Sequence, residues 1–459
     1  MRQVLPPYLG ALVRFVLFAL AFPLALLHAQ RPVEEPSWSR QFGTNRYDQA
    51  TGIAVADGNV YVAGEGIGAL PGQVNEFPPD VSGFVRKYDS KGAVLWTQSI
   101  GNTTPGEDHV TGIAVNAAGV YVTGFTAGVL PGQSRLGEGN NPFVRKYDLG
   151  GKEQWTRQFG TMSNVEANAV AVDASGVYVA GFVDCCGSPF PDTLGTTGAD
   201  AFLRKYSHEG AVLWTRQFGS IDADRAVAMA VDATGVYVTG MTNGEFAGPR
   251  GQWDGFLVKF DPDGGTVWSR QFGTTDFHEE SNAIALGPSG VYIGGRTTGD
   301  LQGQKAMGLW DSFIMQFDRD GAMQWVRQFG GDGDLDNVRG LAVGLTHLLV
   351  TGAANGPLPG QTYDAGEDAF YRLYDFTGAE AGTREFGNGF NDFGTSAAAD
   401  ARAFYVAGTK NGGALGLPAF GDNDAFVMKM APKPLEKEDV KLDRPPARGG
   451  RAGRAGRGN

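Results

Sequence analysis

The stretch Trp155 to Thr161, WTRQFGT, returns almost unchanged as WTRQFGS from Trp214 to Ser220. Further copies stand at Trp38 (WSRQFG), Trp96 (WTQSIG), Trp268 (WSRQFG) and Trp325 (WVRQFG), with a degenerate TREFG at Thr383, so the starts lie 54 to 59 residues apart. Self-similarity at a fixed period of tens of residues marks a repeat architecture and governs the whole fold reading. Each interval holds the same order of segments. A small apolar run comes first, such as Gly52-Ile53-Ala54-Val55 or Gly340-Leu341-Ala342-Val343. A Gly-bounded run follows, such as Val60-Tyr61-Val62 or Val236-Tyr237-Val238; then an alternating one, such as Phe84-Val85-Arg86-Lys87-Tyr88; then the Trp stretch again. Short runs rich in Val, Tyr, Phe and Trp, separated by turn residues such as Asp89-Ser90-Lys91-Gly92 and Asp261-Pro262-Asp263-Gly264, read as strands joined by hairpins. Four strands per repeat make one propeller blade.

The count sharpens this. The chain enters on a Trp strand at Trp38 and leaves after the third strand of the seventh interval, Phe426 to Met430. The seventh sheet lacks its fourth strand and the first strand lacks a sheet, so the N-terminal strand is expected to complete the last blade and leave neither unpaired. The expected fold is all-β: a seven-bladed β-propeller of four-stranded antiparallel blades over residues 38–432.

The segments DAFLRKYSHEGAVLWTRQFG (200–219), GIAVNAAGVYVTG (112–124) and AVAVDASGVYVAG (169–181) resemble the bacterial seven-bladed β-propeller repeat (SBBP type) of extracellular proteins. The resemblance covers about residues 38–432 and implies the fold. It leaves function open, because propellers host many activities.

Composition agrees with many short strands and tight turns. Gly supplies 70 of 459 residues, about twice its usual share of roughly 7%, while only 19% are charged. Residues 1–29 begin with a basic residue, run through an apolar segment from Phe15 to Leu27 and read as a secretory signal peptide rather than a membrane span, with 30–37 a short leader. The expected location is therefore secreted, periplasmic or cell-envelope, with no membrane span after signal removal. Residues 433–459 are rich in Pro, Gly and Arg and read as a disordered tail. The formal charge of −12 includes +2 from Arg2 and Arg14 and +4 from that tail, so the body carries about −18. Such a body disfavours nucleic acid as a partner.

The chemistry-bearing candidates are few. Four residues before the small apolar run stands an acid in six of seven blades: Asp48, Asp108, Asp224, Glu279, Asp336 and Asp392, with Val165 the exception and Glu166 beside it. If that run is innermost, the carboxylates are expected to ring one mouth of the central channel, where Ca²⁺ would find several oxygen ligands. The competing reading is that each caps its own backbone on entering the strand. Asp332-Gly333-Asp334-Leu335-Asp336 carries alternating oxygens, but the twelfth position is Val343, so it is no EF-hand; an irregular calcium site on Asp332, Asp334 and Asp336 is the alternative to a plain acidic loop. Cys185 and Cys186 are the only cysteines and suit a vicinal disulfide, an interchain pair or a soft metal. The repeated LPGQ (70–73, 130–133, 358–361) and LQGQ (301–304) read as turns. His109 and His278 fall in links three blades apart, and no nucleophile elbow, zinc spacing or phosphate loop is present. The expectation is a monomeric binding module for a protein or polysaccharide partner, docking on the face of the long loops. The alternative is an exported propeller enzyme, a lyase, hydrolase or quinone-dependent dehydrogenase, with its site at the channel mouth.

Overall fold

The computed structural model describes residues 35–74, 80–184, 190, 198–248, 251–333, 335–363, 365–412 and 419–430. Among them every regular element is a strand, and the strands form seven four-stranded antiparallel sheets. Strand β1 is Trp38–Phe42; blade 1 is β2 (Asp48–Ala56), β3 (Asn59–Ile67), β4 (Val81–Tyr88) and β5 (Val94–Ile100). Blades 2 to 6 repeat this order and open on the inner strands β6 (Asp108–Asn116), β10 (Val165–Val172), β14 (Asp224–Asp232), β18 (Glu279–Gly287) and β22 (Asp336–Val343). Blade 7 is β26 (Asp392–Ala399), β27 (Phe404–Asn411) and β28 (Asn423–Met430), and its outer strand is β1, with Trp38 opposite Lys429 and Phe42 opposite Ala425. The ring closes through the N-terminal strand as the strand count requires.

The core consists of seven seams, one between each pair of neighbouring blades. Val60 and Val62 of blade 1 pack with Tyr405 and Val427 of blade 7, while Tyr61 and Val85 on the other face of blade 1 pack with Val120 and Phe143 of blade 2. Because both faces of a blade are covered, its second and third strands are apolar throughout rather than alternating, as in Val60-Tyr61-Val62-Ala63, where no residue is more than 1% exposed.

The WTRQFG stretch holds the seams together from the perimeter. Trp38 Nε1 donates to Ser90 O at 3.1 Å and Arg40 Nε to Gly92 O at 2.8 Å, both in the third-to-fourth turn of the next blade. The pattern recurs at Trp155 and Arg157 on His208 and Gly210, at Trp268 and Arg270 on Arg319 and Gly321, and at Trp325 and Arg327 on Phe376 and Gly378. The receiving glycine is required twice over. Gly92 has φ +78°, and a Cβ there would lie 2.9 Å from Trp38 Cδ2. The Phe packs edge-on against the next blade, as Phe42 does on Phe84 at 5.5 Å.

The degenerate seventh copy has a physical cause. In β25 (Glu380–Phe386) Gly382 pairs with Leu373, at the place where blade 1 pairs Trp96 with Lys87. Its Trp would have to grip a turn between the third and fourth strands of blade 7, and no such turn exists because the fourth strand is β1. The surviving Arg384 pairs instead with Glu35, just ahead of β1, at 2.7 Å.

Candidate functional site

Asp48, Asp108, Asp224, Glu279, Asp336 and Asp392 open their inner strands, and each is at most 1% exposed. They do not ring the channel mouth. Successive strand residues point to opposite sides, and the first residue of each inner strand turns into the seam. There the carboxylates hold the incoming link or the end of the second strand. Asp48 Oδ2 accepts from the Thr44 N–H (2.6 Å) and hydroxyl (2.8 Å); Asp224 does the same for Ser220 and Glu279 for Thr274. Asp336 accepts from the Gly331 and Asn355 amides, and Asp392 from Asn411 N–H and the buried Lys410 ammonium at 3.2 Å.

A second set of buried acids, not singled out in the sequence, stands at the start of the third strands: Asp200, Asp254, Asp311, Asp368 and Asp424. Their signal is the recurrent Asp-x-Phe of 200–202, 254–256, 311–313, 368–370 and 424–426. The Gln of the RQFG stretch holds them: Gln41 Nε2 donates to Asp424 at 2.7 Å, Gln217 to Asp200 at 2.7 Å and Gln328 to Asp311 at 2.8 Å. The Gly of that stretch leaves room for the carboxylates, since a Cβ on Gly330 would meet Asp336 Oδ2 at 2.4 Å and Asp311 Oδ1 at 2.8 Å. Acids from neighbouring blades thus meet in the seams. Burial pushes Asp48 and Asp392 up to about 6 and Asp336 up to about 7, and the facing carboxylates of Asp424, Asp368 and Asp311 push in the same direction. Asp108 is also pushed up to about 7 by burial.

This donor set does not fit calcium. Asp48 Oδ2 faces Thr44 donors, and Asp424 Oδ2 accepts from Gln41 and the Phe420 N–H. Calcium asks for six to eight oxygen ligands, whereas here two carboxylates meet whose Oδ2 atoms are taken by N–H and O–H donors, leaving only the buried Oδ1 atoms of Asp48 and Asp424 without a partner. Among the described residues no three His, Cys, Asp or Glu side chains converge as a metal site. Asp332 is exposed while Asp336 is fully buried against the Gly331 and Asn355 amides, so these two do not form one loop site. Asp334, Cys185 and Cys186 lie outside the described residues. The LPGQ segments are turns: Gln73 N–H donates to Leu70 O and Gln133 N–H to Leu130 O, with Gly72 and Gly132 at positive φ.

The channel itself is a cavity of about 530 Å³ lined by the inner strands. Every inner strand carries a β-bulge at its fourth residue: Thr51, Thr111, Asn168, Val227, Asn282, Arg339 and Thr395. The bulge re-aims that side chain toward the next blade. Thr51 donates to Val110 O (2.6 Å), Thr111 to Ala167 O (2.7 Å), Asn168 to Ala226 O (2.8 Å) and Thr395 to Ala50 O (2.6 Å), which makes a polar belt around the channel. Asn282 reaches Asn337 Oδ1 instead, and Val227 and Arg339 interrupt the belt.

The second residue of each inner strand forms the rim, and no two neighbouring blades agree: Gln49, His109, Glu166, Arg225, Glu280, Asn337 and Phe393. Blades 1 to 3 make an acidic sector. His109 bridges Glu65 at 2.9 Å and Glu107 at 3.3 Å, and Gln49 also holds Glu65 at 2.6 Å. Burial disfavours the His109 imidazolium, but the hydrogen bonds and charges of the two glutamates outweigh it and hold its pKa above the usual value. Glu166 accepts from Asn140 and Asn164 at 3.2 Å each. Blades 4 to 6 make a guanidinium sector. Arg225 lies over Phe182 at 4.6 Å, Arg296 over Trp310 at 4.2 Å, and Arg339 over Phe393 at 4.5 Å. Arg296 is paired with Glu280 at 2.8 and 2.9 Å. His278, the other candidate base, lies beside Trp310 in this second sector, apart from His109.

Fold and site together define a seven-bladed β-propeller whose scaffold repeats in every seam and whose channel mouth differs from blade to blade. No family model matches the chain. It is similar, at 25% identity over 370 residues, to the regulatory protein FlaEY of Caulobacter vibrioides (strain ATCC 19089 / CIP 103742 / CB 15). The match takes in 69% of this chain and 38% of that protein, so the chain spans well under half the length of this relative. Among solved structures it is similar to the phage phi92 endosialidase (10% identity, TM-score 0.47, 89% of this chain and 71% of that one). A second likeness is the hemagglutinin-neuraminidase ectodomain of parainfluenza virus 5 (8% identity, TM-score 0.44, 88% and 86%).

Proposed function

We propose that the propeller is a binding module whose channel mouth and surrounding links recognise a protein or polysaccharide partner. On the character of residues 1–29 we place it at the cell envelope or outside the cell. One observation carries the reading. Where a side chain holds blades together, most repeats agree, as in the Trp clamps and the seam carboxylates; where it faces the mouth, they do not. A scaffold role is the same in every blade, while a recognition surface has to be read position by position.

A second reading, as an enzyme, draws on the Glu65–His109–Glu107 group, since a protonated imidazole is a competent general acid. That group stands on the rim, and none of its members lines the cavity. Binding is therefore the reading adopted. It is tested by displaying envelope polysaccharides and peptides on an array, probing with the full chain, and comparing ligands across variants. The double rim variant Glu65→Gln/Glu166→Gln should weaken binding at least tenfold, while Lys91→Ala/Lys152→Ala on the opposite, short-turn face should leave it unchanged. The reverse pattern refutes the proposal.

A further inference from the structure

Two of the mouth arginines have no ion-paired carboxylate. Arg296 is neutralised by Glu280, but Arg225 and Arg339, which both line the channel, make no hydrogen bond or ion pair among the described residues, and the Nε of each is buried without a partner. Burial without a partner disfavours the charged form of Arg339 and lowers its pKa, and the charge of Glu367 only partly offsets this. A buried N–H left unpaired is expensive. The expense falls in a chain with 50 acidic against 38 basic residues, where carboxylate partners are in surplus. Arg339 also occupies the bulge position where blades 1, 2 and 7 carry a belt threonine, so this blade gives up a belt hydrogen bond to place a cation in the channel.

The two guanidiniums are also held ready. Each lies over an aromatic ring of a neighbouring strand, Arg225 on Phe182 and Arg339 on Phe393, a contact that restrains the guanidinium without using its N–H groups. Planar N–H edges of this kind match the oxygens of a carboxylate or phosphate. The single carboxylate lining the cavity, Glu166, is occupied by the Asn140 and Asn164 amides in the acidic sector. Around the arginines the wall is apolar, with Met229, Met241, Ile284 and Leu341.

We propose that the channel is an oxyanion-binding site in which Arg225 and Arg339 hold the carboxylate or phosphate group of a small ligand, or of a partner's terminus, that enters from the rim. The proposal deepens the reading of the mouth as a binding face, and its test uses free anions with no macromolecular partner, so its failure leaves that reading to its own experiment.

The test is thermal unfolding of the full chain titrated with succinate and, separately, with inorganic phosphate, at ionic strength held constant with sodium chloride. It is run on the wild type and on Arg339→Thr and Arg225→Gln. Arg339→Thr restores the residue of three other blades and removes an unpaired cation, so without anion its Tm is expected to equal or exceed that of the wild type. The wild type should show an upward shift that saturates at millimolar anion, and each variant should lose at least tenfold in the concentration needed. Saturation with succinate alone points to a carboxylate ligand, and with phosphate alone to a phosphorylated one. No saturable shift with either anion, or the same shift in both variants, as general exclusion of phosphate from protein surfaces would produce, overturns the site.

Discussion

Replacing Asp48 by Asn should stabilise the propeller at neutral pH, although it removes a fully buried, hydrogen-bonded carboxylate. The native carboxyl is pushed up to about 6 from an ordinary 3.8, first by burial and also by Asp424, while Thr44 only partly compensates. As pH rises past about 4 the unfolded chain releases this proton first and the folded chain keeps it until about 6, so stability falls across that window and stays lowered above it. The gap of about two pH units, at roughly 1.4 kcal/mol each, amounts to about 3 kcal/mol. An Asn at this position keeps an oxygen to accept from the Thr44 N–H and hydroxyl and carries no charge toward Asp424. With an unfolding entropy of about 2 cal/mol/K for each of roughly 390 residues, 3 kcal/mol corresponds to a Tm rise of about 4 °C. The assay is calorimetric unfolding of the full chain and of Asp48→Asn between pH 4 and 8. The two should coincide near pH 4 and separate above pH 6, with the variant higher. A variant less stable than the wild type at every pH, with the same pH slope, would mean that Asp48 is ionised in the native seam and that its charge holds the Thr44 turn.

Other outcomes follow from the same contacts. Trp155→Ala should cost about 3 kcal/mol, because the ring is wedged on Gly210 and its N–H on His208 is lost, whereas Gly382→Trp should bring no gain in Tm, since blade 7 has no turn to receive it. Deleting residues 1–42 should leave the outer edge of β28 unpaired and increase aggregation on size-exclusion chromatography relative to the full chain. Unfolding in EDTA and in millimolar Ca²⁺ should give Tm values within a degree of each other; a clear rise with Ca²⁺ would show that the seam carboxylates bind the ion and that the donor argument against it is wrong.

Much of the architecture was legible because the repeat unit writes its contacts locally. In WTRQFG the Trp, Arg, Gln, Phe and Gly make contacts that recur at the same spacing, so the period counts blades and the unmatched Trp38 strand identifies the closure. The turn reading of LPGQ was equally local, a Pro and a Gly setting two dihedrals. The acids were located, but whether they ring the mouth or cap their own backbone stayed open. A strand alternates with period two, so deciding which parity faces the channel needs knowledge of where the neighbouring blade sits. The bulge at the fourth residue compounds the difficulty, since it shifts the phase in the middle of every inner strand and nothing in Asp48 to Ala56 marks where. The third-strand acids were passed over because DAF, DGF and DSF look like strand openings, and their partners lie in other elements.

The amino-acid sequence by itself determined the number of blades and the closing strand, since these depend on spacing along one chain. Only the tertiary structure decided that the inner acids lie in the seams and that the mouth has an acidic and a guanidinium sector. The pairs that create those sectors, Glu65 with His109 and Arg339 with Phe393, come from different blades. Ring closure and the bulges bring them together, and neither leaves a mark in local periodicity.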